Sequence, residues 1–408
     1  MFLVLGGVMI IFEFLIRYAG KGSLFNPVNI SNLIGQNGYV VVLATGMLLC
    51  ILSGGNIDLS VGSIVALIGA LAGRMMITYQ VNVYVAIIVC LMVGLMIGAI
   101  QGLFIAYLRI PAFIVTLAGM LIFRGVAWVI TKGTTISPFP ENYKKIFNTY
   151  FPLISGLAND PETKAYVYFF SIAVGAIVCA IIVLAQIYTM VSRRRKGYVD
   201  EGWQKLLNII SLIVTCAAII FLFDRLGNSK GTPVTLIWIT FVVSAYNYFT
   251  TNMVAGRHLY AMGGNEKATK LSGINTNKIL FFAYTNMGFL AALAALICVA
   301  RFNSAAPSAG TNYEMDAIAS CYIGGASAVG GIGTVGGAVI GAIFMGIMNN
   351  GMSILGIASD WQRVVKGLVL LTAVIIDVFM RGGNALIHRI VPNYKEEEDK
   401  DKEKEKEE

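Results

Sequence analysis

Charge is what this chain has least of. Only 13% of its 408 residues are Asp, Glu, Lys or Arg, and residues 395–408 alone hold fourteen of them. A soluble domain carries about a quarter charged residues, so a soluble fold is excluded; the mean hydropathy is +0.75. Histidine is almost missing: His258 and His388 have no partners at ligand spacing, which excludes a histidine metal centre. Six cysteines (Cys50, Cys90, Cys179, Cys216, Cys298, Cys321) lie in apolar runs with no CxxC pair. They read as small buried hydrophobes rather than disulfides or metal ligands. GxxxxGK[ST], HExxH and GxSxG are all absent, so the chain has no phosphate cradle, no zinc-protease helix and no nucleophile elbow. No enzyme chemistry and no cofactor are implied. If the protein works against a gradient, a partner must hydrolyse ATP or an ion must supply the drive. A basic lead-in before the first apolar stretch (MFLVLGGVMIIFEFLI) is lacking too, so that stretch reads as a first span and not a cleaved signal peptide. The net charge of +8 is spread through loops, as orientation by cytoplasmic Lys and Arg requires, and carries no nucleic-acid signature.

What the chain does have is apolar runs of bilayer length, one after another. The expected fold is all-α: a polytopic transmembrane helical bundle of about twelve spans with Gly-broken helices. The spans fall near 2–17, 34–53, 59–78, 83–107, 112–131, 166–190, 207–225, 233–251, 278–300, 315–332, 334–356 and 362–380. Together they form one transmembrane domain over residues 1–394, followed by a charged cytoplasmic tail, 395–408, expected to be solvated and disordered. A cytoplasmic N-terminus puts Arg109, the RRRK cluster at 193–196, the 252–277 loop and the tail inside. Lys132, Lys144, Lys145 and Lys164 then lie outside, against the rule. The 132–165 loop carries four prolines and several aromatics and reads as a small extracytoplasmic cap.

Polar groups at membrane depth are few and therefore informative. The run SGGNIDLSVGS at 53–63 interrupts two apolar stretches and carries Asn56, Asp58 and Ser60. Asp58 either caps the helix that follows or lines a polar site. Arg124 is the one cation well inside an expected span; it snorkels, pairs structurally or faces a cavity. Asn349 and Asn350 are adjacent and cannot both face lipid. Asn56, Asp58, Ser60, Arg124, Asn349 and Asn350 are the candidate substrate path, suited to a neutral polyhydroxylated solute. Glu13, Glu314, Asp316 and Asp377 are the other acids near membrane depth. Glu314 and Asp316 fit a charge–dipole role at a helix start, and Asp377 reads as interfacial. GGASAVGGIGTVGG, at 324–337, reads as close helix packing through small faces. Residues 58–63 and 333–337, each followed by a small-residue apolar run, echo one another, and paired broken spans are a pointer to a transporter's site. In the 252–277 loop, Asn265 is placed to cap a short helix over 266–271 and Gly273 to end it. On the residues alone, that loop is either an orientation loop or a device that transmits force between two spans.

Three segments resemble the permease subunits of bacterial monosaccharide importers powered by ATP-binding cassettes, the ribose/xylose/galactose class: SGGNIDLSVGS (53–63), YAMGGNEKATKLSGINTNK (260–278) and YEMDAIASCYIGGASAVGGIGTVGGAVIGAIFMGIMNNGMSILG (313–356). The cap and the added pair of spans around Arg193–Arg195 look more like the xylose or multiple-sugar branch. The resemblance implies a multi-pass protein of the bacterial plasma membrane that pairs as a homodimer. It implies two cytoplasmic ATP-binding subunits and an extracytoplasmic sugar-binding protein as partners. Gly264, Glu266, Ala268 and Gly273 match the segment that such permeases press into the ATPase, which turns the 252–277 loop into a coupling loop. Related permeases carry amino acids or nucleosides, and an ion-coupled transporter acting alone is the rival of a different class.

Overall fold

A computed structural model describes residues 2–152, 160–195 and 202–390. The expected tail, part of the cap and the end of the RRRK cluster lie outside the described residues. The described chain is almost entirely helical. It opens with α1 (Phe2–Tyr18), α2 (Pro27–Leu52), α3 (Val61–Gly73, continued by a π turn Arg74–Thr78), α4 (Val83–Ala106) and α5 (Ala112–Thr131). A short α6 (Glu141–Phe147) precedes α7 (Pro161–Arg195), α8 (Gly202–Gly227) and α9 (Val234–Asn252). Then come α10 (Val254–Gly264), α11 (Glu266–Leu271), α12 (Thr276–Phe302), α13 (Tyr313–Ile323), α14 (Val335–Ile354) and α15 (Ser359–Ile390). Nine helices among the described residues are long and apolar enough to cross a membrane.

Where the twelve expected spans and the helices differ, the reasons are local. The helix expected from residue 34 begins at Pro27, because the Asn26 side chain accepts from the Val28 amide at 3.0 Å and proline suits the first helical position. The expected span 315–332 is instead the 11-residue helix α13 followed by a non-helical stretch, 324–334. Gly325, Gly330, Gly331 and Gly333 there all take positive φ, which a continuing helix does not allow.

The core is built on α2 and α12. Residues 39–52 of α2 are buried on every side, as is nearly all of 287–300 in α12. A helix apolar all round is one that others surround. α12 packs on α4, α2 and α3; α3 packs on α5; α13 and α14 pack on each other and on α2. α4 meets α12 through Gly94 and Gly98 against Gly288, so close that a Cβ on any of the three would overlap opposing backbone or side-chain atoms. Small faces of this kind bring membrane helices into backbone contact. α7 and α8 form a peripheral hairpin with broadly exposed apolar side chains (Ile181 59%, Leu184 65%, Ile213 62%), the pattern of a lipid-facing surface.

Residues 132–152 fold back onto this core. Ile136 pairs with Ala305, and strand Tyr150–Phe151 pairs antiparallel with Thr232–Pro233. The fully buried Tyr143 donates from its hydroxyl to the Leu296 carbonyl at 2.7 Å, and Trp238 donates to Ile146 O at 2.9 Å. The prolines and aromatics of this segment thus form a compact plug over one end of α12.

Candidate functional site

Three stretches of non-helical backbone enter the bundle among the described residues: 53–60, 303–312 and 324–334. Irregular backbone at membrane depth persists only inside protein or along a water-filled cavity, so these stretches mark where the bundle departs from simple helix packing.

The first and third meet at the end of the bundle that carries α10 and α11. Gly331 donates its amide to Leu52 O at 3.1 Å, and Tyr260 of α10 donates to Gly333 O at 2.8 Å. A Cβ at Gly263 would overlap both the Leu52 carbonyl oxygen and the Gly331 amide nitrogen. Asp377, expected to be interfacial, is half-buried and accepts from the Ala328 amide at 3.1 Å. The first and third breaks are therefore in direct contact, Gly54 and Gly55 against Ala328 and Gly330, and α10 seats on their junction.

Within the first stretch, Asp58 is fully buried. Its Oδ1 accepts from the Ser60 amide at 2.8 Å and the Ser60 hydroxyl at 2.6 Å; Gln101 of α4 donates to that hydroxyl at 2.8 Å. Asp58 thus organises the turn into α3 and anchors it to α4. Asp58 and Ser60 present no surface to a solute in this conformation, whereas Asn56 is half-buried and donates to Ser53 O at 3.3 Å.

Residues 303–312 are a feature that sequence reasoning missed. They follow α12 and run down α3, with Ala305 beside Gly69 and Gly73, and Gly310 beside Gly62. From Val61 to Thr78 is 18 residues, about 27 Å at 1.5 Å per residue, so Gly310 lies deep in the bundle. Arg124 does not snorkel: it donates to the carbonyls of Pro307, at 3.1 Å, and Ala309. A cation inside the span thus satisfies carbonyls that this backbone leaves without helical partners. Ser308 and Thr311 on the same stretch are exposed.

Asn349 and Asn350 face different neighbours. Asn350 is buried and exchanges two amide hydrogen bonds with Asn29 of α2, at 2.9 and 3.0 Å. Asn349 reaches Asp316 at 3.5 Å. Glu314 and Asp316 do open α13, but Asp316 also forms an ion pair with Lys366 of α15 at 2.9 Å. Arg124 is therefore not alone among cations within the bundle, since the Lys366 side chain is only 16% exposed. Glu13 accepts from Ser23 and from the Leu24 amide at 2.8 Å, closing the turn after α1. The six candidate path residues do not form one constellation: three organise the first break, one braces 303–312, and two tie α14 to α2 and α13.

In the 252–277 loop the short helix α11 spans Glu266–Leu271, with the Asn265 side chain accepting from the Ala268 amide at 3.0 Å and Gly273 at φ +82°. Gly264 and Ala268 are exposed on its outer side. Glu266 faces the bundle: its carboxylate accepts from Arg109 at 2.8 Å and from the Thr276 hydroxyl at 3.2 Å. The Arg109 hydrogen bond holds this carboxyl below the ordinary glutamate value. A lowered value means the folded state favours the carboxylate, so the attachment is fully present above the ordinary glutamate range. It is lost as pH falls through the lowered value. Amide hydrogen exchange across α11 is therefore expected to be flat from neutral pH down through the ordinary glutamate range and to rise below it, once the intrinsic pH dependence of exchange is removed. A rise already at neutral pH contradicts the pairing.

The family described as "Branched-chain amino acid transport system / permease component" matches residues 29–374. The xylose transport system permease protein XylH of Escherichia coli K12 is 35% identical over 378 residues, covering 92% of this chain and 91% of that protein. XylH of Haemophilus influenzae is 36% identical over 361 residues, covering 88% and 91%. The ribose import permease protein RbsC of Escherichia coli K12 is 36% identical over 358 residues, covering 87% of each. No solved structure matches the chain. With a family match across the whole helical core and relatives aligned nearly end to end, the chain belongs to this family of multi-pass membrane permease components.

Proposed function

We propose that this chain is the membrane-spanning subunit of an ATP-driven importer that carries a monosaccharide across the bacterial plasma membrane. A separate cytoplasmic ATPase presses on the 252–277 loop, an extracytoplasmic sugar-binding protein delivers the solute, and two copies pair as a homodimer. The observation that carries this reading is the seat of α10: it rests where two broken helices meet, so displacement of the loop displaces both breaks together. The relatives named for xylose and ribose supply the solute class. In this reading residues 132–165 are the cap that faces the binding protein, and residues 1–394 act as one transport domain.

Gly273→Pro tests the loop. Proline fixes φ near −65° and cannot take the +82° found there, so α11 loses its exit. Sugar uptake per ATP hydrolysed is expected to fall about tenfold or more in proteoliposomes, with membrane insertion retained. An unchanged ratio removes the role given to the loop.

The function itself is tested by co-assembly. The purified chain, mixed with a candidate ATPase and sugar-binding protein from the same genome, is expected to form a complex whose ATP hydrolysis rises when the binding protein is loaded with pentose or hexose. The family's description favours one second reading, a branched-chain amino acid as solute. Stimulation by leucine-loaded and not sugar-loaded binding protein supports that reading and removes the sugar.

A further inference from the structure

Arg109 sits in the short turn between α4 and α5 with φ +56°. For a side chain with a Cβ this left-handed backbone is strained, and glycine is the residue such a turn ordinarily uses. The strain is kept for a guanidinium that does two things at once. One arm donates to Glu266 of α11 at 2.8 Å, and the other donates to Asn277 in the first turn of α12 at 2.5 Å. Thr276, beside Asn277, donates to the same Glu266 oxygen at 3.2 Å.

Stability alone is a poor account of this cluster. The Arg109 and Glu266 side chains are 45% and 42% exposed, and exposed pairs contribute little and are screened by salt. What distinguishes it is the set of elements it joins. α4 and α12 pack backbone to backbone through the Gly94, Gly98 and Gly288 contacts, with no flexible side chains between them to absorb a displacement. Arg109 lies just past the end of α4, Asn277 opens α12, and Glu266 opens the loop helix. Strained backbone retained at such a junction points to a role in mechanism.

We propose that Arg109 is a positioning residue of the transport cycle, carrying displacement of α11 into the close-packed α4–α12 pair. The planar fork suits this task because it engages a carboxylate and an amide in fixed directions, which a lysine cannot do. The inference rests on the importer reading, in which a partner ATPase moves the 252–277 loop. It assigns that loop two outputs: the α10 seat drives the broken helices, and the Arg109 fork drives α4 and α12.

The test uses proteoliposomes holding the full chain with the ATPase and binding protein that assemble with it, and reads sugar imported per ATP hydrolysed. Arg109→Gly removes the guanidinium while relaxing the backbone, so misfolding does not account for a loss. It is expected to lower the ratio at least tenfold. Arg109→Lys is expected to fall between Arg109→Gly and the wild type. Arg109→Glu is expected to match Arg109→Gly, and combining it with Glu266→Arg is expected to restore at least a third of the wild-type ratio, since the reversed pair can bridge the same elements. Wild-type ratios in Arg109→Gly and Arg109→Glu overturn the proposal, as does a double variant no better than Arg109→Glu alone. ATP-independent uptake by the wild-type assembly defeats the importer reading instead. ATP-driven uptake with an unaltered ratio in Arg109→Gly defeats only the role of Arg109.

Discussion

Replacing Lys366 with alanine is expected to destabilise the folded chain by about 3–5 kcal/mol, the cost of breaking a buried ion pair from one side. Lys366 Nζ lies 2.9 Å from one Asp316 oxygen and 3.1 Å from the other, and the Asp316 side chain is 2% exposed. Removing the cation leaves a carboxylate among α13, α14 and α15 with only the long Asn349 contact, at 3.5 Å, to compensate it. The pair itself need not be net stabilising, because taking two charges out of water costs about what their attraction returns. Lys366→Met with Asp316→Asn, which removes both charges, should therefore recover most of the loss. Denaturant unfolding in detergent micelles reads both variants. A Lys366→Ala change below about 1 kcal/mol contradicts the burial of this pair.

The second large effect is expected at Gly98. A Cβ there would overlap the Tyr284 carbonyl and lie 2.9 Å from Thr285 O and 3.0 Å from Gly288 N. All three neighbours are backbone, so no side chain can swing away, and α4 must separate from α12. Gly98→Val is expected to cost at least the upper part of the 1–3 kcal/mol typical of overpacking. It should also cut transport, because the two helices no longer pack backbone to backbone. Gly125 in α5 is the matched control. Nothing lies within 4 Å of a Cβ built there, so Gly125→Ala is expected to be neutral or to stabilise by up to about 1 kcal/mol through helix propensity. Equal losses at both positions would mean that glycine acts in these helices through something other than close approach.

Much of this architecture is legible in hydropathy. The expected spans track the long helices because an apolar run of bilayer length has few other ways to fold. The break at 53–60 is legible because SGGNIDLS cannot continue an apolar helix, and the cap and stop of α11 are legible because Asn265 and Gly273 act within a few residues of themselves. What stays hidden depends on partners far along the chain. Residues 303–312 look like an ordinary polar connector. The carbonyls of Pro307 and Ala309 against Arg124, more than 180 residues away, and the approach of Gly310 to Gly62 reveal a segment that enters the bundle. Lys366 falls inside the expected span 362–380 with nothing local to mark it, and its burial follows from Asp316, 50 residues earlier. Arg109 reads as an orientation charge because its partner Glu266 is 157 residues on. Periodicity and capping report contacts within a turn or two of helix. Polar groups in a membrane protein choose partners across the bundle, so the candidate site is the part least visible in sequence.

The proposed importer moves a monosaccharide only when a partner ATPase works its α10–α11 loop. Uptake of labelled pentose or hexose into proteoliposomes tests this most directly, with and without the ATPase and the sugar-loaded binding protein. ATP is supplied on the side of the 252–277 loop, and ion gradients are collapsed. Uptake is expected to require all three components and ATP, and to persist without any ion gradient. Uptake by the chain alone, driven by an ion gradient and indifferent to ATP, would contradict the importer reading.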